Sequence, residues 1–206
     1  MRFIVLLVLL CTALAEVPSE EERAAIMECH EKLREEVQPT ASNMQLLTYS
    51  TKLETVVLSI LGGCGGPVPE YENVGYIQPL WHTRKLPYRD VLCNVDSSGF
   101  AYENDACEGS CYDYKQMVWG TSTQVGCARH RCQIGQSKEL HGMACVYKPG
   151  DPYLEGKPYE QGPSCSKCLQ GTECFRNQCR VPTLPKIVIA QEVIPQHLRT
   201  TELLLL

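Results

Sequence analysis

Cys165-Ser166-Lys167-Cys168, followed by Cys174 and Cys179, places four thiols within fifteen residues. Such spacing suits either a tetrahedral zinc knuckle or two disulfides. A redox role for the CxxC would call for a βαβ unit, and nothing around it resembles one. The compartment decides between the other two. Arg2, the apolar stretch Phe3 to Leu10 and the small-residue site Ala13-Leu14-Ala15 stand in the order of an export signal. The mature chain is therefore expected to begin at Glu16, to be secreted, and to fold in an oxidising lumen where disulfides form. Of thirteen cysteines, Cys11 leaves with the signal. The remaining twelve, Cys29, Cys64, Cys93, Cys107, Cys111, Cys127, Cys132, Cys145, Cys165, Cys168, Cys174 and Cys179, are an even set able to close six bridges.

The elements that hold these groups follow from periodicity. Ser19 and Glu22 form a capping box, after which Ile26, Cys29, His30, Leu33 and Val37 share one helical face until Gln38-Pro39 ends the helix. Leu53, Val56, Val57 and Ile60 mark a second helix that closes at Gly62-Gly63. Residues 65–109, rich in Gly, Pro, Asn and Asp, read as long cross-linked loops with one short helix. Tyr112 to Trp119 reads as a helix, Thr123 to Arg131 as a strand and Gly142 to Tyr147 as its partner, with a polar hairpin loop from Gln133 to Leu140. Helices first and strands late, without regular alternation, indicate a mixed α+β domain. Turn-rich sequence from Lys148 to Pro158 leads to the cysteine cluster, which is too short to own a core and needs covalent staples. A tail follows from Thr183, and its four terminal leucines are too few for a lipid-anchor signal.

Charge and hydropathy exclude two classes of function. With 19 basic and 24 acidic residues the chain is net −5, which does not suit a groove for nucleic-acid phosphates. Beyond the signal, the longest apolar run, Val56 to Leu61, is far short of the roughly 20 residues that span a bilayer. No N-x-Ser/Thr sequon is present.

Several segments, in order, resemble the CAP superfamily of cysteine-rich secretory proteins, insect venom allergens and pathogenesis-related plant proteins. His30-Glu31-Lys32-Leu33-Arg34 is similar to its HNxLR, with Glu31 for Asn, and Tyr71-Glu72-Asn73-Val74 to its GEN segment, with Tyr71 for Gly. Tyr112 to Trp119 resembles GHYTQ-V-W, Val125-Gly126-Cys127-Ala128 follows at the family distance, and Cys145 to Asp151 resembles CxYxPxGN. Residues 159–179 are similar to the hinge of venom-allergen-like proteins from parasitic nematodes. The resemblance implies a three-layer α-β-α sandwich over 16–158, a cysteine-rich hinge over 159–182 with nested bridges Cys165–Cys174 and Cys168–Cys179, and a tail over 183–206.

The family's central cavity usually carries two His and two acids able to hold zinc. Here Asp113 stands in place of the motif His, Glu72 keeps the GEN acid, and Arg84 replaces the second acid if residues 81–88 match the WxxE segment. Glu72, Asp113 and Arg84 are expected to sit as a salt-linked cluster. His82 adds one imidazole, a weak zinc site, and His30, His130, His141 and His197 read as surface or satisfied histidines. No metal or cofactor is expected.

Three functions follow. A rigid cross-linked sandwich with long loops suits a non-enzymatic protein that engages a host surface or plasma protein in immune modulation. The resemblance also implies an extracellular carrier of sterol or fatty acid, for which Phe100, Tyr102, Tyr112 and Tyr114 would line a loop site. The third is a hydrolase using Glu72 and Asp113, assisted by His82.

Overall fold

The computed structural model describes residues 15–109, 111–134 and 138–182. The signal up to Leu14, the tail from Thr183 and His197 lie outside the described residues. In chain order the elements are β1 (Ala15–Glu16), α1 (Glu20–Glu35), β2 (Thr48–Tyr49), α2 (Thr51–Gly62), β3 (Gly75–Tyr76), β4 (Leu80–His82) and α3 (Tyr88–Leu92). Next come β5 (Phe100–Ala101), β6 (Ala106–Cys107), α4 (Cys111–Met117), β7 (Gln124–Ile134), β8 (Lys138–Lys148), β9 (Glu173–Phe175) and β10 (Gln178–Arg180).

The Ser19–Glu22 capping box forms as expected, with the Glu22 N–H donating to Ser19 Oγ and the Ser19 N–H to Glu22 Oε2. Helix α1 ends at Glu35, before Gln38-Pro39, and α2 closes at Gly62. The polar hairpin expected over 133–140 is shorter than that reading. Gln133 and Ile134 belong to β7, and Lys138, Glu139 and Leu140 to β8, paired in register from Gln124↔Lys148 to Ile134↔Lys138. Polar side chains alternate there on a sheet exposed beyond the helices, so polarity did not signal a turn.

The β7–β8 hairpin is the centre of a six-stranded sheet. Strands β1 and, in parallel, β2 add to β7, while β3 and β4 add to β8. Period-2 alternation sends its side chains into two cores. Val125, Cys127, Met143, Cys145 and Tyr147 meet Ile26 and Cys29 of α1, Tyr88 and Leu92 of α3 and Met117 of α4. Ala128, Ala144 and Val146 meet Leu53, Val57, Ile60 and Leu61 of α2. The result is the expected α+β, three-layer α-β-α sandwich.

Helix α2 lies close because its side of the sheet is small. A Cβ on Gly126 would stand 2.6 Å from Leu53 Cβ and 2.6 Å from the Ser50 carbonyl. Each aliphatic side chain that α2 buries contributes roughly 1.5–3 kcal/mol. That outweighs the helix-propensity cost of its β-branched residues, at most about 0.7 kcal/mol each.

Among the described residues all twelve cysteines are paired: Cys29–Cys93, Cys64–Cys132, Cys107–Cys111, Cys127–Cys145, Cys165–Cys174 and Cys168–Cys179. The hinge pairing is the nested one. The hinge is also docked on the sandwich. Arg176 at the β9–β10 turn pairs with Glu31 (3.0 Å) and Glu35 (2.6 Å) of α1, and the Leu46 N–H donates to the Cys179 carbonyl (2.9 Å). Tyr159 is a core residue, and its carbonyl accepts from the Tyr102 hydroxyl at 2.8 Å. The chain thus crosses from sandwich to hinge inside packed structure.

Candidate functional site

The residues expected to share a central cavity are spread over three places. Glu72 is exposed on the loop before β3, where it lines a groove. His82 and Arg84 are exposed beside β4 and line a shallow depression with His141 and Met143. Asp113, half-buried on α4, accepts a hydrogen bond from the Gln78 backbone N–H at 3.0 Å. Among the described residues no ion pair or hydrogen bond joins any two of Glu72, His82, Arg84 and Asp113. The expected salt-linked cluster is therefore not formed, because β4 carries His82 along the outer edge of β8 and Arg84 follows just past the end of that strand. Donors so dispersed do not fit zinc, which needs ligands converging within about 2.0–2.3 Å of one point.

Asp113 borders an interior polar relay instead. Burial raises its pKa, and burial, followed by the charge of Asp113, raises that of Tyr147. The Tyr147 hydroxyl lies 2.7 Å from His30 Nε2, and His30 Nδ1 lies 2.7 Å from the Ile26 carbonyl. A carbonyl only accepts, so the imidazole proton sits on Nδ1 and Tyr147 donates to Nε2. His30 is thus a satisfied histidine, and burial pulls its pKa down to about 4.

That shift has a sign in stability. The unfolded chain protonates His30 near 6.5 and the folded chain only near 4, so the unfolded state binds more protons between those values. Stability should fall by about 3 kcal/mol from this group as pH drops through that window, then level off. Asp113, with a raised folded pKa, works in the opposite sense and blunts the slope. The check is urea denaturation across pH together with NMR of the His30 ring. A ring signal that titrates near 6.5 in the folded protein would refute the assignment.

The aromatic loop is mostly filled. Tyr102 and Tyr114 are each 7% exposed, Tyr102 stacks on Tyr159 at 5.0 Å, and Phe100 lies 5.8 Å from Tyr114. Tyr112, 52% exposed, points away from this packing. Three of the four rings expected to line a lipid site therefore pack against one another, and the helical period of α4 puts Tyr112 and Tyr114 on different faces.

Cys64, His130 and Cys132 bring their ligand atoms within 4.8 Å of one another. The two sulfurs are bonded to each other, so the thiolates that a metal needs are consumed.

The groove beside Glu72 has a volume of about 680 Å³. One wall is residues 68–76 and the other Pro152 and Tyr153. Val68, Tyr71 and Tyr76 pack on the α2 core, which fixes the first wall. The Gly150 N–H donates to the Asn73 carbonyl at 3.2 Å, and a Cβ on Gly150 would stand 2.2 Å from the Gly75 nitrogen. Only glycine permits that approach. Asp151 then accepts from the Tyr153 and Glu155 N–H groups at 2.9 and 3.0 Å, which orients the second wall.

Glu70, Tyr76, Pro152 and Tyr153 were not singled out by sequence reasoning. The available signal was Glu70-Tyr71-Glu72, two acids flanking one tyrosine directly before the turn at Asn73.

The model described as the cysteine-rich secretory protein family matches residues 27–147. The chain is 30% identical over 184 residues to mouse cysteine-rich secretory protein LCCL domain-containing 1, an alignment covering 78% of this chain and 37% of that protein. It therefore spans little more than a third of that relative. Among solved structures, NaASP2 with Zn2+ superimposes with a TM-score of 0.59 at 20% identity, covering 78% of this chain and 96% of that one. Hookworm platelet inhibitor does so with a TM-score of 0.58 at 20% identity, covering 80% and 93%. At such identities the likeness is one of fold.

Proposed function

Because the chain belongs to the CAP family of cysteine-rich secretory proteins, we propose that it is an extracellular, non-enzymatic binding protein that engages a host protein, in the manner of a venom-allergen-like immune modulator. The observation that carries this reading is the groove between residues 68–76 and Pro152-Tyr153, fastened across its two walls and set on a disulfide-linked sandwich. A surface already ordered before contact loses little conformational freedom on binding, so more of its contact energy appears as affinity. Tyr and Asn side chains on stiff loops suit protein recognition. A solved neighbour of the same fold is named a hookworm platelet inhibitor. Glu72, Asp113 and His82, which a hydrolase would need together, share no hydrogen bond or ion pair, and this favours binding over catalysis.

The test is capture from human plasma and leukocyte membranes on the immobilised secreted chain, with native mass spectra of the same preparation. Saturable enrichment of one host protein, weakened several-fold when Tyr153 is replaced by alanine, is the expected result. Only background capture, or a sterol or fatty-acid adduct that disappears on denaturation, would remove the reading in favour of the carrier. Turnover of a peptide or glycan panel that Glu72→Gln abolishes would remove it in favour of the hydrolase.

A further inference from the structure

We propose that the groove takes an extended, proline-containing segment of a partner protein and seats one of its arginine or lysine side chains between Glu70 and Glu72. This rests on the binding function proposed above and names the chemistry of its partner. Two independent features of the groove lead to it.

The first is the set of rings in its lining. Tyr71, Tyr76, Pro152 and Tyr153 present aromatic and pyrrolidine faces along one channel. Tyr71 and Tyr76 are half-buried and held by the core beneath, while Tyr153 is 74% exposed above them. Aromatic-lined channels suit polyproline-type segments, whose rings stack on tyrosine faces and whose backbone is already extended before binding. A volume of about 680 Å³ exceeds what one side chain fills, so a peptide stretch fits better than an isolated cation.

The second is its charge. Glu70 and Glu72 both line the channel and are both exposed, and among the described residues neither makes an ion pair or a hydrogen bond. Many other acids of the fold are engaged: Glu16 with Lys85, Glu28 with Arg89, Glu31 and Glu35 with Arg176, Glu160 with Lys167, and Glu173 with Arg180. Two carboxylates on the same wall, Glu70 just before the turn and Glu72 within it, offer acceptors to the several N–H donors of a guanidinium. The neighbouring tyrosine faces add cation–π attraction. The chain's net charge of −5 steers in the same direction.

The experiment uses the secreted full chain and a fluorescein-labelled hexapeptide, Ala-Pro-Pro-Arg-Ala-Pro, read by anisotropy. Its controls are the same peptide with citrulline for arginine, the same peptide with serine for each proline, and arginine amide alone. Binding should weaken at least about tenfold for the citrulline peptide and for the double variant E70Q/E72Q, and should fall with added salt. The proline-free peptide and the Tyr153→Ala chain should each bind several-fold more weakly. Both sites are exposed, so unchanged melting of the variants verifies that the fold is kept.

Equal binding of the arginine and citrulline peptides, or no binding of either, would overturn the proposal. Arginine amide binding as tightly as the peptide would replace the polypeptide by a small cation. Self-association of the chain that E70Q/E72Q abolishes would replace it by a second copy. Host-protein capture that E70Q/E72Q leaves undiminished would overturn this occupant while the binding function stands; loss of capture by the unaltered chain would remove both.

Discussion

Arg34→Met should lower the unfolding free energy at pH 7 by about 4 kcal/mol, among the largest losses available to one substitution in this fold. Arg34 is buried within α1 and reaches no carboxylate. Its guanidinium instead donates to the carbonyls of Met117 and Trp119 (2.9 Å each) and Gln45 (2.8 Å), with those of Ser122 and Gly120 at 3.3 and 3.5 Å. Five peptide dipoles turn toward one cation, joining the end of α1 to the segment between α4 and β7. Burial lowers the Arg34 pKa to about 9, so it remains charged at pH 7. Removing it takes the donor from the carbonyls of Met117, Gln45 and Ser122, while those of Trp119 and Gly120 keep the N–H groups of Ser122 and Gln45. Arg34→Lys keeps the charge but not the planar fork, and should recover less than half of the loss. Urea midpoints with disulfides intact measure both. A loss under about 1 kcal/mol for Arg34→Met would mean that water reaches these carbonyls, and the clamp would contribute little.

Removing Cys64–Cys132 as a pair of alanines should cost about 4 kcal/mol, and removing Cys107–Cys111 about 2 kcal/mol. The bridges close segments with sequence separations of 68 and 4 residues, and the longer closure removes more conformational freedom from the unfolded chain. Cys29–Cys93, with a separation of 64, belongs with the first. Thermal melting of the two double variants gives the order. Equal losses would show that native packing around the sulfurs, and not chain entropy, sets their contribution. The hinge bridges have separations of 9 and 11 and should act locally. The hinge has little core of its own, so opening them should free Arg176 from Glu31 and Glu35 before the sandwich unfolds.

Much of the scaffold was legible in local patterns because those patterns act locally. The Ser19–Glu22 box capped α1, the spacing of Leu53, Val57 and Ile60 marked the buried face of α2, and Gly62 closed it. The strand pair over Thr123 to Arg131 and Gly142 to Tyr147 was legible too, whereas its division between two cores emerged only from the packing of helices on both faces. The even cysteine number implied full pairing, which the fold completes. Partner identity was not local, apart from the hinge pairing that family resemblance implied.

The candidate site belongs to the other class. Glu72, His82, Arg84 and Asp113 each stand where a family motif places a cavity residue, yet the path of β4 along β8 sends two of them outward. Arg34 carries no mark in sequence of the five carbonyls it meets, because those come from residues 11 to 88 positions away. Pro152 and Tyr153 meet Glu70 and Glu72 only because Gly150 can approach Gly75 without a side chain between them. Hydrophobic period and capping are set by neighbours within a few residues and survive in any fold that uses the element. The convergence of charges across a groove depends on how whole elements pack, and so it could be read only once they had.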